Sequence, residues 1–358
     1  MLPSHGSNPQ YLYESLGLSL PQQYIDFSAN INPLGPPQQL KDKWPEIYQE
    51  VMVYPDPYAI KLKTIIARKE QISVNSILIG NGGSELITIV ARMLAGKKVL
   101  LVQPAFSEYE TACRANNCEV SHYQLIEHDF ELNLDELRGQ LVNADALFLC
   151  SPSNPTGIQF SAATILSILE ESEKHDCLVL LDEAFYDFLI EYDSVLPYIN
   201  RFSNFIIIRS LTKMYAIPGI RLGYLAAQPN MVARLSSLQS HWSTNAIALI
   251  AGEICLQDDS FIKQTQSYIQ HERQRLFTFF KQQEFTFSSS KVNYYLLKDP
   301  FSQDQFPLFQ FLLKRGIIPR HTYNFLGLDG KWLRFAIRSQ EENNRLIEVL
   351  SEWRATHP

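Results

Sequence analysis

The chain has 358 residues, 46% of them hydrophobic, and a formal net charge of −7. That length buries a large core and divides into two domains. The acidic balance, with no long block of like charge, argues against a nucleic-acid partner, and no apolar stretch approaches membrane-spanning length.

Met1 to Gln10 has no basic start and no apolar run that would direct export. Cys113, Cys118, Cys150, Cys177 and Cys255 show no metal-ligand spacing. An odd count without a secretory signal points to reduced thiols and a cytoplasmic protein.

In chain order, Ser76 to Ile79 reads as a short strand, and Gly80-Asn81-Gly82-Gly83 turns into a helix from Ser84 to Leu94. Lys98 to Val102 is a strand, followed by a helix near Phe106 to Asn116. Ala146 to Cys150 and Leu178 to Leu181 are strands, with a helix over Ala162 to Lys174 between them. Phe205 to Ile208 is the next strand. After Asn230 come a long helical stretch and an α+β tail. Strands without polar alternation, separated by helices, predict an α/β fold with a mostly parallel sheet covered on both faces, plus a smaller α+β domain. Residues 46–245 are expected to form the large domain. Residues 1–45 and 246–358 are expected to form an N-terminal arm and a small C-terminal domain.

Ligands in such sheets bind beyond the carboxyl ends of the strands. Asn154, Asp182, Ser210 and Lys213 fall there. A lysine in a closed site has a lowered pKa, because burial disfavours its charge, and its amine can then form a Schiff base with a carbonyl. Ser210 and Arg221 flank Lys213, a hydroxyl and a guanidinium fork that suit a phosphate. A Schiff-base lysine beside a phosphate site points to pyridoxal 5'-phosphate, which carries both groups. Gly82, Gly83 and Ser84 open a helix whose free N–H groups also suit phosphate. Asp182 follows five apolar residues. A carboxylate there can keep a pyridine nitrogen protonated and make the ring an electron sink.

Ser210-Leu211-Thr212-Lys213, continued by Pro218-Gly219-Ile220-Arg221-Leu222-Gly223-Tyr224, resembles the fold-type I pyridoxal-phosphate enzymes, the aminotransferase class I/II superfamily. The resemblance covers nearly the whole chain and implies the following roles. Lys213 and Asp182 are catalytic. Gly82, Gly83, Ser84, Ser210 and Arg221 hold the cofactor phosphate. Asn154, in Asn154-Pro155-Thr156-Gly157, bonds the ring oxygen, and Tyr109 stacks on the ring. Tyr54, in Tyr54-Pro55-Asp56-Pro57, reaches the phosphate of a neighbouring subunit, which implies a homodimer with shared sites. Arg334 matches the arginine that binds a substrate carboxylate or phosphate, and Arg320 matches a second anion-binding arginine of the histidinol-phosphate relatives. Arg338 belongs either to the site or to a pair with Glu341 or Glu342 at helical spacing.

Two branches of the superfamily are closest, the threonine-phosphate decarboxylases and the histidinol-phosphate aminotransferases. The aminotransferases usually carry Tyr after Asp-Glu-Ala, where this chain has Phe185. Phe185, His5-Gly6, the stretch Asp26 to Pro37 and the ending Arg338-x-x-x-Glu342-Asn343 resemble the decarboxylases. The aminotransferases more often place an acid where Ile31 stands, and Ser7 replaces a second glycine after Gly6. His5 and Asn32 join Arg320 and Arg334 as substrate-binding candidates. The resemblance thus implies decarboxylation of L-threonine O-3-phosphate or L-serine O-phosphate to an amino-alcohol phosphate for cobalamin biosynthesis. The alternative is a histidinol-phosphate aminotransferase using 2-oxoglutarate and glutamate. A catalytically dead binding relative is a third possibility, against which Lys213, Asp182 and Arg221 count.

Overall fold

The structure, a computed structural model, describes residues 2–127 and 129–357. Its central sheet has seven strands: β1 (Ile77–Gly80), β2 (Lys98–Gln103), β3 (Glu119–Gln124), β4 (Ala146–Cys150), β5 (Leu178–Asp182), β6 (Phe205–Ser210) and β7 (Gly223–Ala227). Their order across the sheet is β1-β7-β6-β5-β4-β2-β3. β2 to β6 run parallel, and β7 runs against both of its neighbours.

Successive strand residues point to opposite faces. Leu147, Leu149, Val179, Leu181 and Ile207 join one core with Leu137, Ile165 and Leu169 from the helices Leu134–Leu141 and Ala162–Lys174. Phe148, Leu180, Ile206 and Ile208 join another with Leu86, Val90 and Cys113 from the helices Gly83–Met93 and Glu108–Ala115. Both faces are buried, so these strands carry no polar alternation, as an α/β sheet requires. The mostly parallel sheet covered on both faces is the α/β architecture expected from the sequence.

β3 and β7 are absent from the sequence expectation. β3 is an edge strand with Glu119, Ser121 and Gln124 exposed, so it lacks an apolar run. β7 lies inside the glycine-containing stretch after Lys213, where the motif hides the strand. The helical stretch after Asn230 is three helices, Pro229–Ser236, Ala246–Cys255 and Asp259–Gln282. Asn245 Oδ1 accepts from the Ala248 N–H at 2.8 Å, and Asp258 Oδ1 from the Phe261 N–H at 3.0 Å. Each acid or amide caps a new helix start and thereby divides the run.

Towards the C-terminus, Thr286–Phe287, Tyr294–Lys298, Leu333–Ala336 and Arg320–His321 form an antiparallel sheet. A short parallel pair, Ile25–Asp26 against Ile317–Ile318, ties the N-terminal segment to this region and delivers residues 28–31 over the end of the central sheet. Among the described residues no helix is long and apolar enough to cross a membrane, and no cluster of His, Cys, Asp and Glu could hold a metal ion.

Candidate active site

The register pairs Cys150 with Asp182 and Asp182 with Ile208, so β4, β5 and β6 end together. A cavity of about 270 Å³ opens at those ends. Asn154, Asp182, Ser210 and Lys213 line it from the central sheet. Gly83, Ser84, Phe106 and Tyr109 form a side wall. Ser4 to Ser7, Ser28 to Ile31, Arg320 and Arg334 close it from the other side. The arrangement follows from the topology: loops leaving parallel strands carry polar groups to one edge, where helix starts also point.

Asp182 accepts a hydrogen bond from the Tyr109 hydroxyl at 2.6 Å and from the Ala184 N–H at 2.9 Å. Burial raises the Asp182 carboxyl above its ordinary value, against the pull of these two bonds and of Lys213. Lys213 is lowered to about 8. Burial is the main cause, Arg221 and Arg334 add to it, and Asp182 opposes it. The unprotonated amine is therefore accessible near neutral pH, as attack on a carbonyl requires.

The residues fit a phosphate at the helix start. Gly82 has φ +78°, and a Cβ built there would lie 2.6 Å from Arg221 Nη2. Only glycine lets the guanidinium lie against this turn. No side chain caps the helix Gly83–Met93: its N-cap is Gly82, which has none, and Glu85 accepts from the Asn81 N–H at 2.7 Å. Its first N–H groups and the Arg221 fork thus remain for an anion. Ser210 Oγ lies 2.8 Å from Thr212 Oγ1, so Thr212 orients the hydroxyl. With Lys213 and Asp182 deeper in the cavity, the set matches a pyridoxal phosphate.

A second cationic centre faces it. Arg320 and Arg334 stand directly opposite each other in the antiparallel ladder. Like charges at such a position repel. Arg334 donates to Asn154 Oδ1 at 2.5 Å and to the Ser28 carbonyl at 2.7 Å. Arg320 donates to the Ser4 carbonyl at 2.6 Å and to Asn324 Oδ1 at 2.5 Å. All these acceptors are neutral. Among the described residues neither arginine has a carboxylate partner, and Arg320 Nη1 and Arg334 Nε are buried without any hydrogen bond. Burial draws Arg320 down to about 9 and Arg334 to about 10, so both stay charged at neutral pH. Two unpaired buried cations with spare donors form a site for anions. His5 also lines the cavity, with Nε2 3.0 Å from Glu108 Oε1.

One expectation needs correction, that for Asn32, and the alternatives left open for Arg338 divide. Asn32 does not line the cavity. Its amide donates to the Met214 carbonyl and to Thr265 Oγ1, both at 2.8 Å, and its Oδ1 accepts from the Leu34 N–H. These bonds occupy it as a brace for the loop of Lys213. Asn30, two residues earlier, lines the cavity instead with a buried, unpaired Oδ1; only the local chain direction distinguishes the two. Tyr54 lies outside this cavity, 83% exposed, with its ring 5.3 Å from that of Trp242. Arg338 takes the helical-pair alternative, 3.0 Å from Glu342 Oε1.

Glu183, next to Asp182, points away from the cavity and pairs with Arg209 at 2.9 Å. Phe185 lines the cavity with its ring edge-on to Tyr294, centroids 4.7 Å apart. The Tyr294 hydroxyl donates to the Ser153 carbonyl at 2.8 Å. Thr212, a residue of the lysine motif given no role from the sequence, lines the cavity, as does Phe325, which had no sequence signal.

Known proteins resemble the chain throughout. The threonine-phosphate decarboxylase of Salmonella typhimurium is 36% identical over 350 residues, covering 97% of this chain and 95% of the relative. The adenosylcobalamin biosynthesis bifunctional protein of Leptospira interrogans is 32% identical over 98% of this chain, which spans 41% of that longer protein. The crystal structure of the histidinol-phosphate aminotransferase from Clostridium acetobutylicum superposes with a TM-score of 0.86 at 28% identity, covering 92% of this chain and 99% of that one. The profile of aminotransferase class I and II matches residues 22–350. With the lysine, the aspartate and the helix start gathered in one cavity, the chain belongs to the aminotransferase class I and II family.

Proposed function

We propose that this enzyme uses pyridoxal 5'-phosphate to decarboxylate a phosphorylated amino acid, L-threonine O-3-phosphate or L-serine O-phosphate, releasing an amino-alcohol phosphate. The similarity to the Salmonella decarboxylase and to the cobalamin biosynthesis protein supports this reaction and its place in cobalamin biosynthesis. The observation that carries it is the opposed pair Arg320 and Arg334, two buried cations without carboxylate partners beside Lys213. A phospho-amino acid brings two anions, a phosphate and a carboxylate. Histidinol phosphate brings one, but the glutamate that an aminotransferase also accepts brings two, so the arginine pair supports a doubly anionic substrate and the likeness to the Salmonella decarboxylase selects the reaction.

The cofactor supplies an aldehyde and an electron-accepting ring. Lys213 would hold the aldehyde end, Asp182 the ring nitrogen and Asn154 the ring oxygen. Gly83, Ser84, Ser210 and Arg221 would hold the phosphate. Arg334 and Arg320 bind the two anions of the substrate, and so leave its central carbon little freedom to turn. Arg334 also donates to Asn154, which couples substrate binding to the cofactor site. Ser4 to Ser7 line the cavity from the N-terminal segment.

Purified enzyme should release carbon dioxide from threonine phosphate or serine phosphate without a keto-acid acceptor. Following amine and ketone products separately tests this. Conversion of histidinol phosphate only with 2-oxoglutarate, and no reaction with the other two, would replace decarboxylation by transamination.

We further infer a homodimer in which Tyr54 completes the partner's phosphate site. Val51, Met52, Val53, Tyr54 and Trp242 form an exposed apolar patch, the kind of surface that association covers. Mixing a Tyr54→Phe variant with a Lys213→Ala variant should restore activity above either alone. In the heterodimer one site collects both defects and the other neither. A fully active monomer in sedimentation at assay concentration would contradict the shared site.

A further inference from the structure

Asp182 and Ser210 face the cavity, while their chain neighbours Glu183 and Arg209 turn to the other side of the sheet. Both are 1% exposed. Arg209 Nε donates to Glu183 Oε2 at 2.9 Å, and Arg209 Nη1 lies 2.7 Å from Glu70 Oε2. Tyr224 and Tyr192 accept from the same guanidinium at 3.2 and 3.0 Å. Tyr192 donates in turn to Glu183 Oε1 at 2.7 Å, and Tyr224 to Glu70 Oε1 at 3.1 Å. The Tyr186 ring lies 3.8 Å beneath the guanidinium.

We propose that the buried Glu183–Arg209 pair is a positioning clamp: it holds the ends of β5 and β6 together and so fixes Asp182 relative to Ser210 and Lys213. The last backbone bond between these strand ends runs from the Glu183 N–H to the Ile208 carbonyl at 2.8 Å. Beyond it the two chains part, one toward Phe185 and the other toward Lys213. The side-chain pair continues the connection past the ladder. Glu70 reaches it from the helix Ile60–Glu70 and Tyr224 from β7, so the clamp is tied to elements on two sides.

Stability alone does not call for such a pair. An apolar pair of similar volume in a buried site is commonly as stable or more so, because two charges need not be desolvated. What charged, fully hydrogen-bonded groups add is direction. Asp182 and Ser210, each one residue away, inherit it. Glu183 and Arg209 touch neither cofactor nor substrate, so their role is positioning. The inference rests on the reading that Asp182, Ser210 and Lys213 hold the cofactor.

The test compares the wild-type holoenzyme with the double variant Glu183→Met/Arg209→Met and the single variant Glu183→Gln. The double variant is made in a Glu70→Gln background, because Glu70 also pairs with Arg209, so that no carboxylate is left stranded by the lost guanidinium. Glu183→Gln keeps the shape and one acceptor. Four readouts are taken: thermal stability of the apoenzyme, visible circular dichroism of the bound cofactor, kcat and KM separately, and the lysine modified by borohydride. The double variant should keep its Tm and its KM, lose visible dichroism, and lose about 100-fold in kcat, the size of effect expected when reacting groups shift by about an ångström. Glu183→Gln should lose about tenfold in kcat. Unchanged kcat and dichroism in whichever of these variants folds would overturn the clamp. Modification of a lysine other than Lys213 would instead overturn the cofactor reading beneath it.

Discussion

Lys213→Ala should abolish turnover while leaving the fold intact. Lys213 has no salt-bridge partner among the described residues, and its removal relieves repulsion from Arg221 and Arg334. Truncation takes one favourable charge from buried Asp182, which keeps its bonds from the Tyr109 hydroxyl and the Ala184 N–H. The wild-type protein should purify yellow, and borohydride should fix the cofactor on Lys213 alone. Peptide mapping after reduction checks this. A reduced peptide with the cofactor on another lysine, or a Lys213→Ala enzyme with ordinary kcat, would sink the assignment. The lowered Lys213 ammonium gives the reason for so large an effect. Near pH 8 about half of the amine is unprotonated and nucleophilic, a state that ordinary surface lysines rarely reach.

Arg334→Met should be nearly as severe. Arg334 makes two hydrogen bonds to neutral acceptors and keeps one donor spare, all within the cavity wall. At about 1.5–3 kcal/mol for each hydrogen bond to a charged group, loss of a two-pronged contact should lower kcat/KM by roughly 10²- to 10⁴-fold. Asn154 also loses its donor, so kcat should fall along with affinity. Arg334→Lys should recover only part, because a single ammonium cannot reproduce the fork. Steady-state kinetics on threonine phosphate and serine phosphate, with circular dichroism to confirm folding, measure this. A folded Arg334→Met enzyme with wild-type kcat/KM would remove Arg334 from the substrate site.

Much of the central sheet was legible because burial on both faces leaves a direct trace: β4, β5 and β6 are runs of apolar residues. The site residues that follow these strands were legible for a related reason. A polar residue at the end of a buried run, such as Asp182, either faces a ligand or needs a partner. β3 left no such trace, because one edge and one face of it meet water. The helices after Asn230 were merged because Asn245 and Asp258 look like ordinary polar surface residues until each is seen accepting an N–H bond.

By itself the sequence determined the α/β class, the lysine with a hydroxyl and a guanidinium beside it, and the carboxylate at a strand end. Each is a local property, a period of hydrophobicity or a motif within a few residues. The tertiary structure alone decided which of Asn30 and Asn32 faces the cavity, that Glu183 turns away to meet Arg209, and that Arg320 stands opposite Arg334. These depend on the pairing of segments far apart in the chain. Strand register sets such pairings, and a shift of one residue would send every side chain to the other face.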